Sequence, residues 1–161
     1  MSQSGLGNLG VYLSNTDVIP AFEAGAATFQ NGNEYTYVKA GSAIAVGDVL
    51  VVDVTATGEP YTLIPASAVN QTIEAVAPVA IASGSYGWVC VRGNVAAVKV
   101  AASTAANAQL GTSATAGTAS TVTVSASPTQ AEIQRVLAAA SGRSLIALDA
   151  ESGGVAECLI R

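Results

Sequence analysis

Four carboxylates, Asp48, Asp53, Glu59 and Asp149, and two thiols, Cys90 and Cys158, are the side chains in this 161-residue chain from which chemistry would first be sought. A pair of carboxylates at the right separation can run acid and base chemistry on a glycosidic bond. With eleven acidic residues spread over the chain, however, some such pair can always be nominated. The chain has no histidine, which excludes Ser-His-Asp and Cys-His catalysis and removes the commonest transition-metal ligand. A Ser-Lys enzyme using Lys39, or one using paired carboxylates around Asp48, is what the composition still permits. Asp48 follows Gly47 between two apolar runs, "AGSAIAVGDVLVVD". A short polar side chain at such a turn bonds to nearby backbone amides, so the position is read as architecture. "SGSYG" at 83–87 lacks the flanks of a nucleophile elbow and reads as a turn before a strand.

The remaining motifs are absent or weak. No Gly-rich loop is followed by Lys-Ser or Lys-Thr, and no G-x-G-x-x-G separates a strand from a helix, so no nucleotide cofactor is expected. Cys90 and Cys158 lack zinc spacing, and no EF-hand loop is present, so no metal is expected. Both cysteines lie in apolar alternating runs and read as buried free thiols. The sequon Asn70-Gln71-Thr72 carries meaning only in a secreted protein.

Composition narrows the class further. Half of the residues are hydrophobic, but only 5% are aromatic and 11% charged. Ordinary soluble domains carry about 25% charged residues, so part of this surface is expected to lie within an assembly. The formal charge is -5, with six basic residues, Lys39, Arg92, Lys99, Arg135, Arg143 and Arg161, scattered in the sequence. Nucleic-acid affinity rests on clustered Lys and Arg, so no nucleic-acid partner is expected. "MSQSGLGNLG" has neither the basic nor the apolar region of a signal peptide, and no stretch has the unbroken hydrophobicity of a membrane span, so synthesis in a cytoplasm and no membrane partner are expected.

These side chains must be positioned by β-structure. Residues 1–30 are rich in Gly, Ser, Asn and Ala, with Tyr12, Ile19, Phe22 and Phe29 spaced along them and Pro20 interrupting. Such a segment has no period of its own and reads as an extended N-terminal arm that lies across its domain or reaches a neighbour. Residues 31–161 read as one β-rich domain. An Asn-Gly turn at 31–32 precedes a period-two strand, with Tyr35, Tyr37 and Lys39 facing one way and Glu34, Thr36 and Val38 the other. "YGWVCVRGNVAAVKV" at 86–100 alternates Trp88, Cys90 and Arg92 with Val89 and Val91, and a turn or bulge at Gly93-Asn94 joins its two halves. "GEPYTLIPA", "EAVAPVAIA", "TVTVSA", "SLIALDA" and "VAECLIR" are further strand candidates, the last two around the turn "ESGG". The fold class expected is all-β, a small sandwich or barrel of short antiparallel strands. At most one short helix is expected, over 128–140. There Ser127 is read as the cap, Pro128 as the first position, Gln130 as closing a capping box and Gly142 as the end, with Ile133, Val136, Leu137 and Ala140 on one face. The same residues also suit a strand. The biased stretch 101–120 reads as a surface loop or as small-residue turns, ordered in part.

"GNEYTYVKAGSAIAVGDVLVVD" at 32–53 resembles a segment of the capsid decoration, or cement, proteins of tailed bacteriophages, in which a Gly-x-Glu-Tyr-x-Tyr-Val-x-Ala strand precedes an Ala-Ile-x-x-Gly-Asp-Val hairpin. Glu34, Tyr35, Tyr37, Val38, Ala40, Ala43, Ile44, Gly47 and Asp48 carry the resemblance. "GWVCVRGNVAAVKV" is similar to their later strand pair, and "GRSLIALDAESGGVAECLIR" to their closing strand-turn-strand. The resemblance implies a virion structural protein, commonly a homotrimer, on the outer surface of a phage head, where it clamps adjacent major capsid protein subunits. Large aromatics dominate interface energetics, so Phe22, Phe29, Tyr35 and Tyr37 are the candidate anchors; Tyr35 and Tyr37 equally suit a core. The alternative function is a small β-barrel module binding a ligand or carbohydrate, which would want an exposed aromatic platform.

Overall fold

A computed structural model describes residues 11–161. It is all-β, with eleven strands and one helix among the described residues. In chain order the strands are β1 (Thr16–Asp17), β2 (Ala27–Gln30), β3 (Asn33–Ala40), β4 (Val49–Val52), β5 (Thr62–Pro65), β6 (Ala75–Val76), β7 (Tyr86–Lys99), β8 (Gln109–Thr112) and β9 (Ala119–Thr121). The helix α1 (Gln130–Ser141) follows, then β10 (Leu145–Ala147) and β11 (Val155–Ile160).

The pairings close on themselves twice. β3 pairs with β7 and β5, β5 with β4, β4 with β6, and β6 with β7, which completes one five-stranded ring. β7 then pairs with β11, β11 with β10, β10 with β8 and β8 with β9, and a bridge from Ala119 to Val100 brings the second ring back to the end of β7. An antiparallel step reverses direction, so a closed ring with an odd number of strands must contain a parallel step. Each ring has one: β3 with β5, and Val100 with Ala119. Apart from these two seams the strands pair antiparallel, as expected.

Strand β7 serves both rings because it changes partners in its middle. Gly93 has φ 121°, and a Cβ there would lie 2.1 Å from Asn33 Oδ1. The Asn33 side chain takes the place of a ladder partner: it accepts from the Asn94 N–H at 2.9 Å and donates to the Asn94 carbonyl at 2.8 Å. The Gly93-Asn94 interruption is therefore a bend within one continuous strand.

Side-chain alternation divides the interior in two. Val38, Ala40, Leu50, Leu63, Ala75, Val89 and Val91 fill the first ring. The opposite faces of the same strands, carrying Tyr35, Tyr37, Val49, Val76, Trp88 and Cys90, join Val95, Val98, Leu110, Leu145, Cys158 and Ile160 in a second core. Strands covered on both faces explain why the apolar runs are nearly continuous around "VLVV".

Local signals place the turns. Asn31 and Gly32, at φ 51° and 81°, make the β2–β3 hairpin, as Asn-Gly does. Helix α1 differs from its expected start: the cap is Thr129, two residues after Ser127, and Pro128 precedes the helix. The reciprocal partner is Glu132, which accepts from the Thr129 N–H at 2.7 Å while its own N–H donates to Thr129 Oγ1. A carboxylate near the positive end of the helix is a stronger partner than the Gln130 amide. The packed face also differs. Ala139 is buried, Val136 half-buried, and the Arg135 guanidinium donates to Ser120 Oγ, whereas Ile133 and Leu137 face outward. "TVTVSA" contributes only Thr121, at the end of β9, while 101–120 is ordered around β8 with Thr104, Leu110 and Ala119 buried.

Candidate interaction surface

The nominated catalytic carboxylates are each held in local bonds. Asp48 is buried; it accepts the Ala45 N–H at 2.7 Å and faces Lys99 Nζ at 2.6 Å. Gly47, φ 79°, lets the chain pass so close to Ala97 that a Cβ would stand 2.5 Å from the Ala97 carbonyl oxygen. The Gly-Asp pair thus locks the first ring to the far half of β7. Asp53 caps its own turn: hydrogen bonds from the Thr55 hydroxyl and N–H hold its carboxyl below the usual carboxylate range. Glu59 pairs with Lys39 at 2.9 Å and accepts from Thr62, which lowers its pKa and raises that of Lys39. Asp149 accepts the Glu157 N–H at 2.7 Å. In "SGSYG", the Ser85 N–H donates to the Ala82 carbonyl around Gly84, φ 78°, and Ser85 is buried. Among the described residues, no group of three or more His, Cys, Asp or Glu could hold a metal ion.

Cys90 and Cys158 are free and fully buried. Burial, chiefly, pushes their thiols up to about 11 and about 12 respectively. They pack as small apolar side chains.

Residues 11–30 are fastened to the domain along their length. β1 pairs with β7 at Thr16–Gly87 and Asp17–Tyr86, and β2 pairs with β3. Between them Phe22 seats its ring edge-on against Tyr37 and Trp88, at centroid distances of 5.3 Å. Tyr37 is the clasp. Its hydroxyl donates to Asp17 Oδ2 and accepts the Ala21 N–H at 3.2 Å, its backbone bonds Gly25 and Ala26, and its ring stacks on Tyr86. Burial and the Asp17 hydrogen bond raise its hydroxyl pKa to about 12. Val11 and Leu13 pack on the second core. Residues 1–10, part of the segment read as an arm, lie outside the described residues.

This fastening leaves another set of side chains turned outward: Tyr12, Val18, Ile19 and Phe29 are 67%, 83%, 82% and 65% exposed. Of the four candidate anchors, Tyr35 and Tyr37 lie in the core and Phe22 is half-buried on it; Phe29 faces out. Composition marked Ile19 and Tyr12 as arm residues but did not mark Val18. Only the pairing of β1 shows that the bend after Asp17 presents it.

Trp88 is buried against Phe22 and Tyr37, so it offers no platform for a sugar. A separate open cleft of about 350 Å³ is lined by Glu23, Lys39, Glu59, Tyr61 and Tyr86, with Tyr61 partly exposed. No helix among the described residues is long and apolar enough to cross a membrane. In comparisons with known proteins, no family model matches the chain, and no curated protein matches it.

Proposed function

We propose that this protein is a virion structural protein that binds the outer surface of a tailed-phage head and cements adjacent major capsid protein subunits. The observation that supports the reading is the clasped segment 11–30: inward residues fix it to the double ring, and outward apolar residues, Val18 and Ile19 foremost, are left exposed. Large exposed apolar side chains held on a rigid support need little ordering when they bind. The low charge suits a packed assembly, and the resemblance of "GNEYTYVKAGSAIAVGDVLVVD" to decoration proteins names the assembly.

Mechanistically the contact is multivalent. A single interface of about 1,600 Å² suffices for specific association, and repetition on a lattice, with the homotrimer the resemblance implies, multiplies its effect through effective concentration. The protein is made in the host cytoplasm and resides on the finished head. It should co-sediment with heads that lack it and raise their resistance to heat. Failure to bind such heads would refute the reading.

The binding-module alternative keeps one specific observation, the cleft holding Tyr61 and Tyr86 beside the Lys39–Glu59 pair. Saturable binding on a glycan array, abolished by Tyr61→Ala, would favour it.

A further inference from the structure

Three of the six basic residues, far apart in sequence, converge on one groove. Residue by residue, Glu34 on β3 pairs with Arg92 on β7, and Gly93 pairs with Ile160 on β11. Arg161, the next residue, exchanges backbone hydrogen bonds with Ser144, beside Arg143. The register therefore lays Arg92, Arg161 and Arg143 side by side where the two rings meet. An open groove of about 540 Å³ is lined by these arginines with Glu34, Leu159 and Ile160.

Their charge is not satisfied within the fold. The ion pairs among the described residues are Lys39–Glu59 and Lys99–Asp48, so none of the three arginines is in one. Arg143 is half-buried, and its Nε–H is buried with no hydrogen-bond partner. A charged donor left unpaired in a buried setting is destabilising, and it marks Arg143 as a guanidinium whose bonding the fold leaves incomplete. Guanidinium groups present planar forks that match the two oxygens of a carboxylate.

We propose that Arg92, Arg143 and Arg161 form an oxyanion groove that takes the carboxylates of an acidic peptide segment. Three features favour a peptide. The groove is larger than a single tetrahedral anion needs, half-buried Leu159 gives it an apolar element, and Glu34 on its rim sets it against more highly charged anions. The net charge of -5 opposes a polyanion such as nucleic acid at longer range. This groove is independent of the outward residues of 11–30, and its existence does not depend on the capsid reading.

The test is calorimetric titration of the full chain with an N-acetylated, C-amidated hexapeptide carrying two aspartates. The same peptide with asparagines, and inorganic phosphate, serve as comparisons. The acidic peptide should bind saturably and more tightly than phosphate, the asparagine peptide should not bind, and Arg92→Gln and Arg143→Gln should each weaken binding at least fivefold. Should Arg143→Gln fail to fold, Arg92→Gln and Arg161→Gln decide, because both residues are exposed. Absence of saturable binding, indifference to these substitutions, or phosphate binding as tightly as the peptide would each overturn the proposal.

Discussion

At the scale of single residues, the groups that invite catalytic readings instead hold the fold together. Asp48 pairs with a half-exposed lysine and caps a turn in a buried setting. Asp48→Ala removes both bonds and leaves the Ala45 N–H without its acceptor, and should cost about 2–4 kcal/mol by denaturant unfolding. Asp48→Asn, which keeps the turn bond, should cost less. Tyr37, Cys90 and Cys158 set an alkaline limit. All three are acids whose pKa is raised in the fold, so the folded chain keeps protons that the unfolded chain releases above pH 9 to 10. Their contribution is fully present below pH 9 and is lost as pH rises towards about 12. Urea midpoints should fall between pH 8.5 and 10.5, with less fall in Tyr37→Phe than in the parent. The role of Asp48 was legible in the sequence because a Gly-Asp turn is a local event. The hydrogen bond from Tyr37 to Asp17 was not, since it joins residues whose proximity depends on β1 finding β7.

At the level of elements, the seams and the clasp hold the double ring and its N-terminal segment together. Phe22 lies against two rings of the core, so Phe22→Ala should destabilise the chain by about 2 kcal/mol, less than a fully buried phenylalanine, as a drop in thermal midpoint. It should act on binding only through the fold. Thr129→Ala removes a reciprocal cap and should cost about 1 kcal/mol. The strands around 33–40 and 86–99 were readable from their alternation, and the Asn-Gly hairpin from its turn chemistry. The helix starts two residues later than Ser127 suggests because several polar residues compete for the cap, and the partner that settles it is Glu132. Size alone points to Ile133 and Leu137 for its packed face, whereas Ala139 is the residue buried there and Val136 is half-buried.

For the whole molecule, the cementing proposal rests on which surfaces the double ring leaves open. Ring closure and the gathering of Arg92, Arg143 and Arg161 depend on pairings between distant segments, which no local pattern encodes; in sequence the basic residues are merely scattered. The all-β class was legible because short apolar runs recur between Gly, Ser and Pro. The two outward residues of the bend after Asp17 are central to the cementing proposal. Substituting exposed apolar residues leaves stability within about 0.5 kcal/mol, while their burial in a partner is worth about 1.5–3 kcal/mol each. The decisive measurement is co-sedimentation of the purified chain with tailed-phage heads stripped of their decoration layer, comparing the parent with Val18→Ser/Ile19→Ser after matching their thermal midpoints. Saturable binding by the parent and at least a tenfold weakening in the equally stable double variant are expected. Equal binding by the two, or no binding by the parent, would contradict the cementing proposal.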